Sequence, residues 1–231
     1  MSKYSILYED NQIIAVHKDA GLATQTRKLG EKDLYSEVMN YLAKSMKSPY
    51  LAIINRLDQP VSGIVLMAKT KEMAAKLSKL IVTDKISKYY EATVYGDISE
   101  LSKNALIDEV QSEFPHFLKD YVIQDTKSNI SKVCDATQAG AKEAALEYTI
   151  KEVLSNKSVI RIHLITGRHH QIRLQLSNRG YPILGDKKYG TDESIEYSRQ
   201  LGMKNIALCA YRMEFIHPDT KKSVIISENI D

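Results

Sequence analysis

A chain of 231 residues, 43% hydrophobic and 26% charged, carries enough apolar material for a sizeable core, which excludes a disordered or fibrous protein. Its 32 basic residues nearly balance 29 acidic ones, and a net charge of +3 neither demands nor forbids a nucleic-acid partner, because phosphate contacts depend on the local field. No apolar run approaches the roughly 18 residues that span a bilayer, and residues 1–20 lack the pattern of a signal peptide, so no membrane association and a cytoplasmic location are expected.

The opening runs Tyr4–Tyr8 and Ile13–Val16, separated by Glu9-Asp10-Asn11, predict a β-hairpin. Gly21 breaks the pattern, and Asp33 then caps a helix on which Leu34, Val38, Leu42 and Met46 recur at helical spacing, with Met39 beside them. Ile64–Ala68, preceded by Ser62-Gly63, reads as a central strand covered on both faces. Met73, Leu77, Leu80 and Ile81 mark the buried face of a second helix, and Lys71, Lys76 and Lys79 its solvated face.

Tyr89–Gly96 is β-rich, whereas 99–141 mixes polar residues with short apolar patches and predicts no definite element. Leu146, Tyr148 and Ile150 alternate with polar neighbours, as do Ile160, Ile162 and Leu164 beyond the turn Ser155-Asn156-Lys157, and the two runs form an antiparallel pair. Thr166 is placed to cap a helix from about Gly167 to near Gly180, with Arg168, His170 and Arg173 around its first turns. Pro182 and Gly185 keep the next segment irregular, and Ala207–Ala210 and Val224–Ile226 supply closing strands. Cys134 and Cys209 form no ligand cluster and are expected as free thiols.

Three stretches carry possible chemistry. Asn55-Arg56-Leu57-Asp58-Gln59-Pro60-Val61-Ser62-Gly63 is a polar loop entering an apolar strand, which sets an acid at the lip of a core; its plainer reading is a surface aspartate. Ile165–Arg173 gathers two arginines and two histidines at a helix start that favours anions, such as phosphate or carboxylate. In Lys88–Gly96, alternation sends Tyr90 to the face opposite Tyr89; a tyrosine there stacks on a base or simply packs.

In this order the stretches resemble the RluA-type RNA pseudouridine synthases over most of the chain. The family's Arg-Leu-Asp with Ser-Gly appears as Arg56-Leu57-Asp58 with Ser62-Gly63. Its Lys-x-Tyr-x-Ala-x-Val-x-Gly strand appears as Lys88–Gly96, and its Gly-Arg-x-His-Gln-Ile-Arg as Gly167–Arg173. Its Gly-x-Pro-x-x-Gly-Asp-x-x-Tyr-Gly is similar to Gly180–Gly190.

The resemblance implies an α+β fold with a mixed, mainly antiparallel central sheet flanked by helices, spanning residues 1–231 as one catalytic domain. Since the first strand begins near Tyr4, a preceding S4-type RNA-binding module is not expected. It implies Asp58 as the catalytic aspartate, Tyr90 as the tyrosine that stacks on the target uracil, and Arg173 as the arginine that pairs with the aspartate. Arg56 matches an arginine implicated in opening the RNA around the flipped base. Asn55, Arg168, His170, Gln171 and Ile172, in the same motifs, are candidates for RNA contact.

Neither metal nor redox cofactor is implied, since an isomerisation retains its atoms apart from proton exchange. The partner is ribosomal or transfer RNA, and a monomer suffices. Departures occur at Asp19, where the family has proline, at Asn55 for His, Val61 for Thr, His169 for Thr or Ser, and Gln175 for His. Two other readings compete: a catalytically inactive RNA-binding relative, and a metal-dependent hydrolase built on Asp58, His163, His169 and His170.

Overall fold

The computed structural model describes residues 3–26, 30–103 and 113–229. In chain order the elements are β1 (Tyr4–Glu9), β2 (Ile13–Lys18), α1 (Leu34–Ala43), β3 (Ala52–Ile53), β4 (Ser62–Ala68), α2 (Lys71–Val82), β5 (Ile86–Tyr95) and α3 (Ser99–Lys103). They continue as β6 (His116–Asp125), β7 (Ile130–Cys134), β8 (Lys142–Leu154), β9 (Lys157–Leu164), α4 (Gln171–Asn178), α5 (Asp192–Gln200), β10 (Leu208–Ile216) and β11 (Ser223–Ser227). The chain forms two compact units, the first of Met1–Lys88 with Cys209–Asp231 and the second of Tyr89–Leu208.

In the first unit the strands run β1-β2-β4-β10, with β3 beside β4 and β11 beside β10. β4 pairs antiparallel with β2 and parallel with β10, so the sheet is mixed. Every residue of Ile64–Ala68 is fully buried, as the unbroken apolar run requires of a strand covered on both faces. The core joins Ile13, Ala15, Ile64, Leu66, Met73, Leu77, Met213 and Phe215.

Both helices predicted in this unit form where capping chemistry starts them. The Asp33 carboxylate accepts from Ser36 N and the Thr70 hydroxyl from Met73 N, each satisfying an amide that has no partner within the helix. Met46 lies beyond the end of α1 and is exposed, whereas Leu34, Val38 and Leu42 are buried.

Gly63 explains the Ser-Gly before β4. Its φ is +116°, and a Cβ there would lie 2.4 Å from Ala210 O and 2.5 Å from Ala210 N. Gly63→Ala is therefore expected to part β4 from β10 and to cost about 3 kcal/mol or more, read as a lowered urea midpoint. A wild-type midpoint would contradict the close approach of these strands.

The second unit orders its strands β5-β9-β8-β6-β7, all antiparallel. The predicted pair is β8 and β9, joined at Ser155-Asn156, with a register shift between Ile150 and Glu152. The β6–β7 hairpin was not legible in the sequence: β6 buries only Leu118 and Val122, and the polar Asp120 stands between them on the same face and interrupts the apolar alternation. The part of 99–141 from 104 to 112 lies outside the described residues.

Helix α5 was also not predicted. It is capped by Thr191, and its buried positions are Ser194 and Ser198, which give no apolar periodicity to read. Among the described residues no helix is long and apolar enough to cross a membrane.

Candidate active site

In the first unit, Asp58 stands half-exposed on the loop that feeds β4, between exposed Arg56 and buried Leu57 and Val61. The loop is tied on several sides. The Asn55 amide donates to Ile64 O at 3.1 Å and accepts from Leu66 N at 2.7 Å. The Thr24 hydroxyl donates to Leu57 O at 2.8 Å and accepts from Leu57 N at 3.3 Å. Gly21 N donates to Gln59 O, and the Gln59 side chain donates back to Gly21 O. Val61 N closes the turn on Asp58 O at 3.0 Å.

Beneath this loop lies a charge for which the sequence offered no role. Lys18 ends β2 with none of its surface exposed, and its ammonium donates to Leu22 O at 2.8 Å and to Asp19 O and Gln59 O at 3.2 Å each. Burial pushes the Lys18 ammonium down to about 8, while the carboxylates of Asp58 and Asp19 pull it up.

In the second unit, β5 separates its tyrosines by face. Tyr89 stacks on His163 at 4.9 Å and on Phe114 at 5.8 Å between ring centroids, and Tyr90, paired with Ile162, turns the other way and is 8% exposed. The alternation expected from the sequence therefore holds.

Arg173 lies on α4, buried, and grips Asp186 through two parallel bonds, Nε to Oδ2 at 2.7 Å and Nη2 to Oδ1 at 2.8 Å. Asp186 Oδ1 also accepts from the amides of Lys188 and Tyr189. Burial pushes the Asp186 carboxyl up, but the Arg173 bonds and charge, aided by those amides, outweigh it and hold it below the ordinary carboxylate range. The Tyr189 ring lies 5.2 Å from the Arg173 guanidinium carbon, a cation–π distance, and its hydroxyl accepts from Ser131 N and meets His170 Nδ1 at 2.9 Å.

Helix α4 begins later than the sequence suggested. Thr166 does not cap it: its hydroxyl accepts from Ala145 N and donates to Gln171 Oε1, and its amide donates to Ala145 O, so Thr166 continues the pairing with β8. The N-cap is His170, left-handed at φ 54° and without a side-chain capping bond. Arg168, His169 and His170 therefore occupy a turn before the helix. At the other end Gly180 N donates to Ser177 O and Tyr181 N to Leu176 O, a Schellman closure that uses the left-handed Gly180.

Residues 12–178 match the model of the RNA pseudouridylate synthase family. The chain belongs to that family. Ribosomal large subunit pseudouridine synthase C of Buchnera aphidicola subsp. Baizongia pistaciae is 29% identical over 98% of this chain and 67% of its own length. The tRNA pseudouridine synthase C of Haemophilus ducreyi is 27% identical over 98% of this chain and 90% of its own. In fold the chain is similar to human RNA pseudouridylate synthase domain containing 4, with TM-score 0.74 and 19% identity over 98% of this chain and 88% of the other. The expected α+β architecture, mainly antiparallel, is thus borne out, and the enzyme is an isomerase acting on uridine in RNA.

Within the synthase, several residues expected at the RNA surface are engaged internally. Asn55 serves the backbone of β4, and Gln171 is 3% exposed, bonding Thr166, Arg168 N, Ala145 O and Gln175. Ile172 is buried, while Arg56 and Arg168 are exposed, Arg168 donating to Glu143 O. The departures from the family pattern also find partners. Gln175 bonds Asp120 and Ala144 O, His169 Nδ1 meets the Ser131 hydroxyl at 2.9 Å, and Asp19 pairs with His17 at 3.3 Å. Among the described residues no group of three His, Cys, Asp or Glu is arranged to hold a metal ion. Residues missed from sequence are Lys18, Thr24 and Asp186; Asp186 had a signal in the Gly-Asp of the segment 180–190, and Lys18 one as the lysine before Asp19 in the family's Lys-Pro-x-Gly.

Proposed function

We propose that the synthase converts specific uridines of ribosomal or transfer RNA to pseudouridine in the cytoplasm, as a monomer, with Asp58 as its catalytic carboxylate and residues 1–231 acting as one catalytic domain. The observation that carries the assignment of Asp58 is its loop, fixed through Asn55, Thr24, Gly21 and Lys18 while the aspartate itself stays half-exposed. A reacting group must be held to a fraction of an ångström yet remain accessible. The names of the relatives support both RNA classes.

In the proposed reaction the target base leaves its stack, the bond from ribose C1′ to uracil N1 breaks, the base turns, and C5 joins C1′. An ionised Asp58 serves either as nucleophile on the sugar or as base at C2′. The hydrogen on C5 leaves to solvent and N1 ends protonated, so the product is an isomer. Tyr90 is assigned to stacking on the displaced uracil, and Arg173 is assigned as the arginine paired with the catalytic aspartate. Arg56 is assigned to opening the RNA, with Arg168 and His170 as further RNA contacts; Asn55, Gln171 and Ile172 support the segments that carry them.

Tritium release from RNA labelled at uridine C5 tests the function directly. Unmodified ribosomal and transfer RNA, supplied separately, are expected to show release from one or both, which names the class. Absence of release from both would favour an RNA-binding relative without turnover.

A further inference from the structure

Helix α4 starts on a left-handed His170 without a side-chain cap, so the turn before it needs other support. That support arrives as a chain of buried amides. Asp120 on β6, paired with Arg179 at 2.7 Å, accepts from Gln175 Nε2 at 2.7 Å. Gln175 Oε1 accepts from Gln171 Nε2 at 3.0 Å, and Gln171 Oε1 accepts from the Thr166 hydroxyl at 2.8 Å and from Arg168 N at 3.0 Å. The second hydrogen of each amide goes to β8, from Gln175 to Ala144 O and from Gln171 to Ala145 O. Both ends fix the sense of this chain. A carboxylate paired with a guanidinium only accepts, so Gln175 turns its NH2 toward Asp120 and its oxygen toward Gln171. Arg168 N only donates, so Gln171 meets it with oxygen. Gln175 is fully buried and Gln171 nearly so, and a reversed amide would set like atoms against each other with no water to relieve them.

We propose that Gln175 is a positioning residue for RNA binding, which passes the polarity of Asp120 through Gln171 to the turn that carries Arg168. This rests on the reading of Arg168 as an RNA contact. Gln175 touches no RNA itself, because none of its surface is exposed. Its loss leaves one Gln171 N–H without an acceptor and loosens the amide that holds Arg168 N, so the effect falls on RNA capture rather than on the chemistry at Asp58. A purely structural glutamine would affect stability alone.

The test pairs RNA-binding titrations with single-turnover tritium release for wild type, Arg168→Ala, Gln175→Met and Gln175→His. Gln175→Met keeps the length and breaks the chain, whereas Gln175→His again offers one donor toward Asp120 and one acceptor toward Gln171. Gln175→Met is expected to weaken RNA binding about tenfold with the saturating rate within about twofold of wild type, and Gln175→His to recover binding to within about threefold. Wild-type affinity in Arg168→Ala would sink the reading of Arg168, and this inference with it. Weakened binding in Arg168→Ala beside a Gln175→Met that binds like wild type would overturn this inference alone, as would a Gln175→His no better than Gln175→Met.

Amide hydrogen exchange reads the same chain without RNA. The Arg168 amide is expected to exchange about tenfold faster in Gln175→Met, while the Thr93 amide, bonded to Ala207 O, keeps its wild-type rate. An unmoved Arg168 amide would refute the relay. Should Gln175→Met fail to fold, Gln175→Asn, polar but one methylene short of spanning Asp120 and Gln171, carries the same expectations.

Discussion

Asp58→Asn is expected to lower the single-turnover rate by about 10³-fold or more while leaving the fold and RNA affinity close to wild type. The substitution keeps the shape of the side chain and removes only its charge and basicity. The loop would persist, because the ties from Asn55, Thr24, Gly21 and Lys18 run to its backbone and to β4. A melting temperature within a few degrees of wild type, measured beside the rate, separates lost chemistry from lost structure. Retained turnover would remove Asp58 from the mechanism.

Arg173→Ala should be the most damaging of the charge deletions to stability, costing about 3–5 kcal/mol, because it leaves Asp186 buried without its partner. The acid dependence has a definite sign. The folded-state Asp186 carboxyl is held below its unfolded value, so its contribution is complete above the unfolded range near 4 and disappears as pH falls through the lower folded value. In Arg173→Ala burial acts on Asp186 without the guanidinium to oppose it, which favours the protonated acid in the folded protein. The stability gap between the two proteins is therefore expected to be widest near neutrality and to narrow on acidification, beginning above about pH 4 as Asp186 of the variant protonates and continuing below it as that of the wild type does, by urea titration at several pH values. A constant gap would mean that Asp186 is not the group responsible.

Local patterns in the sequence were sufficient for much of the fold. Alternation defined β8 and β9, the unbroken run defined β4, and a capping aspartate with apolar residues at helical spacing defined α1. Elements whose buried faces are sparse or polar were silent: β6 with Leu118 and Val122, and α5 with Ser194 and Ser198. The start of α4 was misplaced because Thr166 has equal local reason to cap a helix or bond a strand, and only the presence of Ala145 beside it decides.

The motifs singled out Asp58, Tyr90 and Arg173, because spacing along the chain preserves the order of residues that chemistry requires. Tertiary structure alone decided what holds them. Lys18 reaches Gln59 across 41 residues, Thr24 reaches Leu57 across 33, and Arg173 meets Asp186 through the turn that follows α4. Such partners leave no periodic trace, since a hydrogen bond to a backbone carbonyl accepts no particular residue type at the other end. The resemblance of its ordered motifs to a known family thus determined the fold class and the family of this protein, and burial with hydrogen-bond satisfaction determined which charges stand behind its proposed reacting residues.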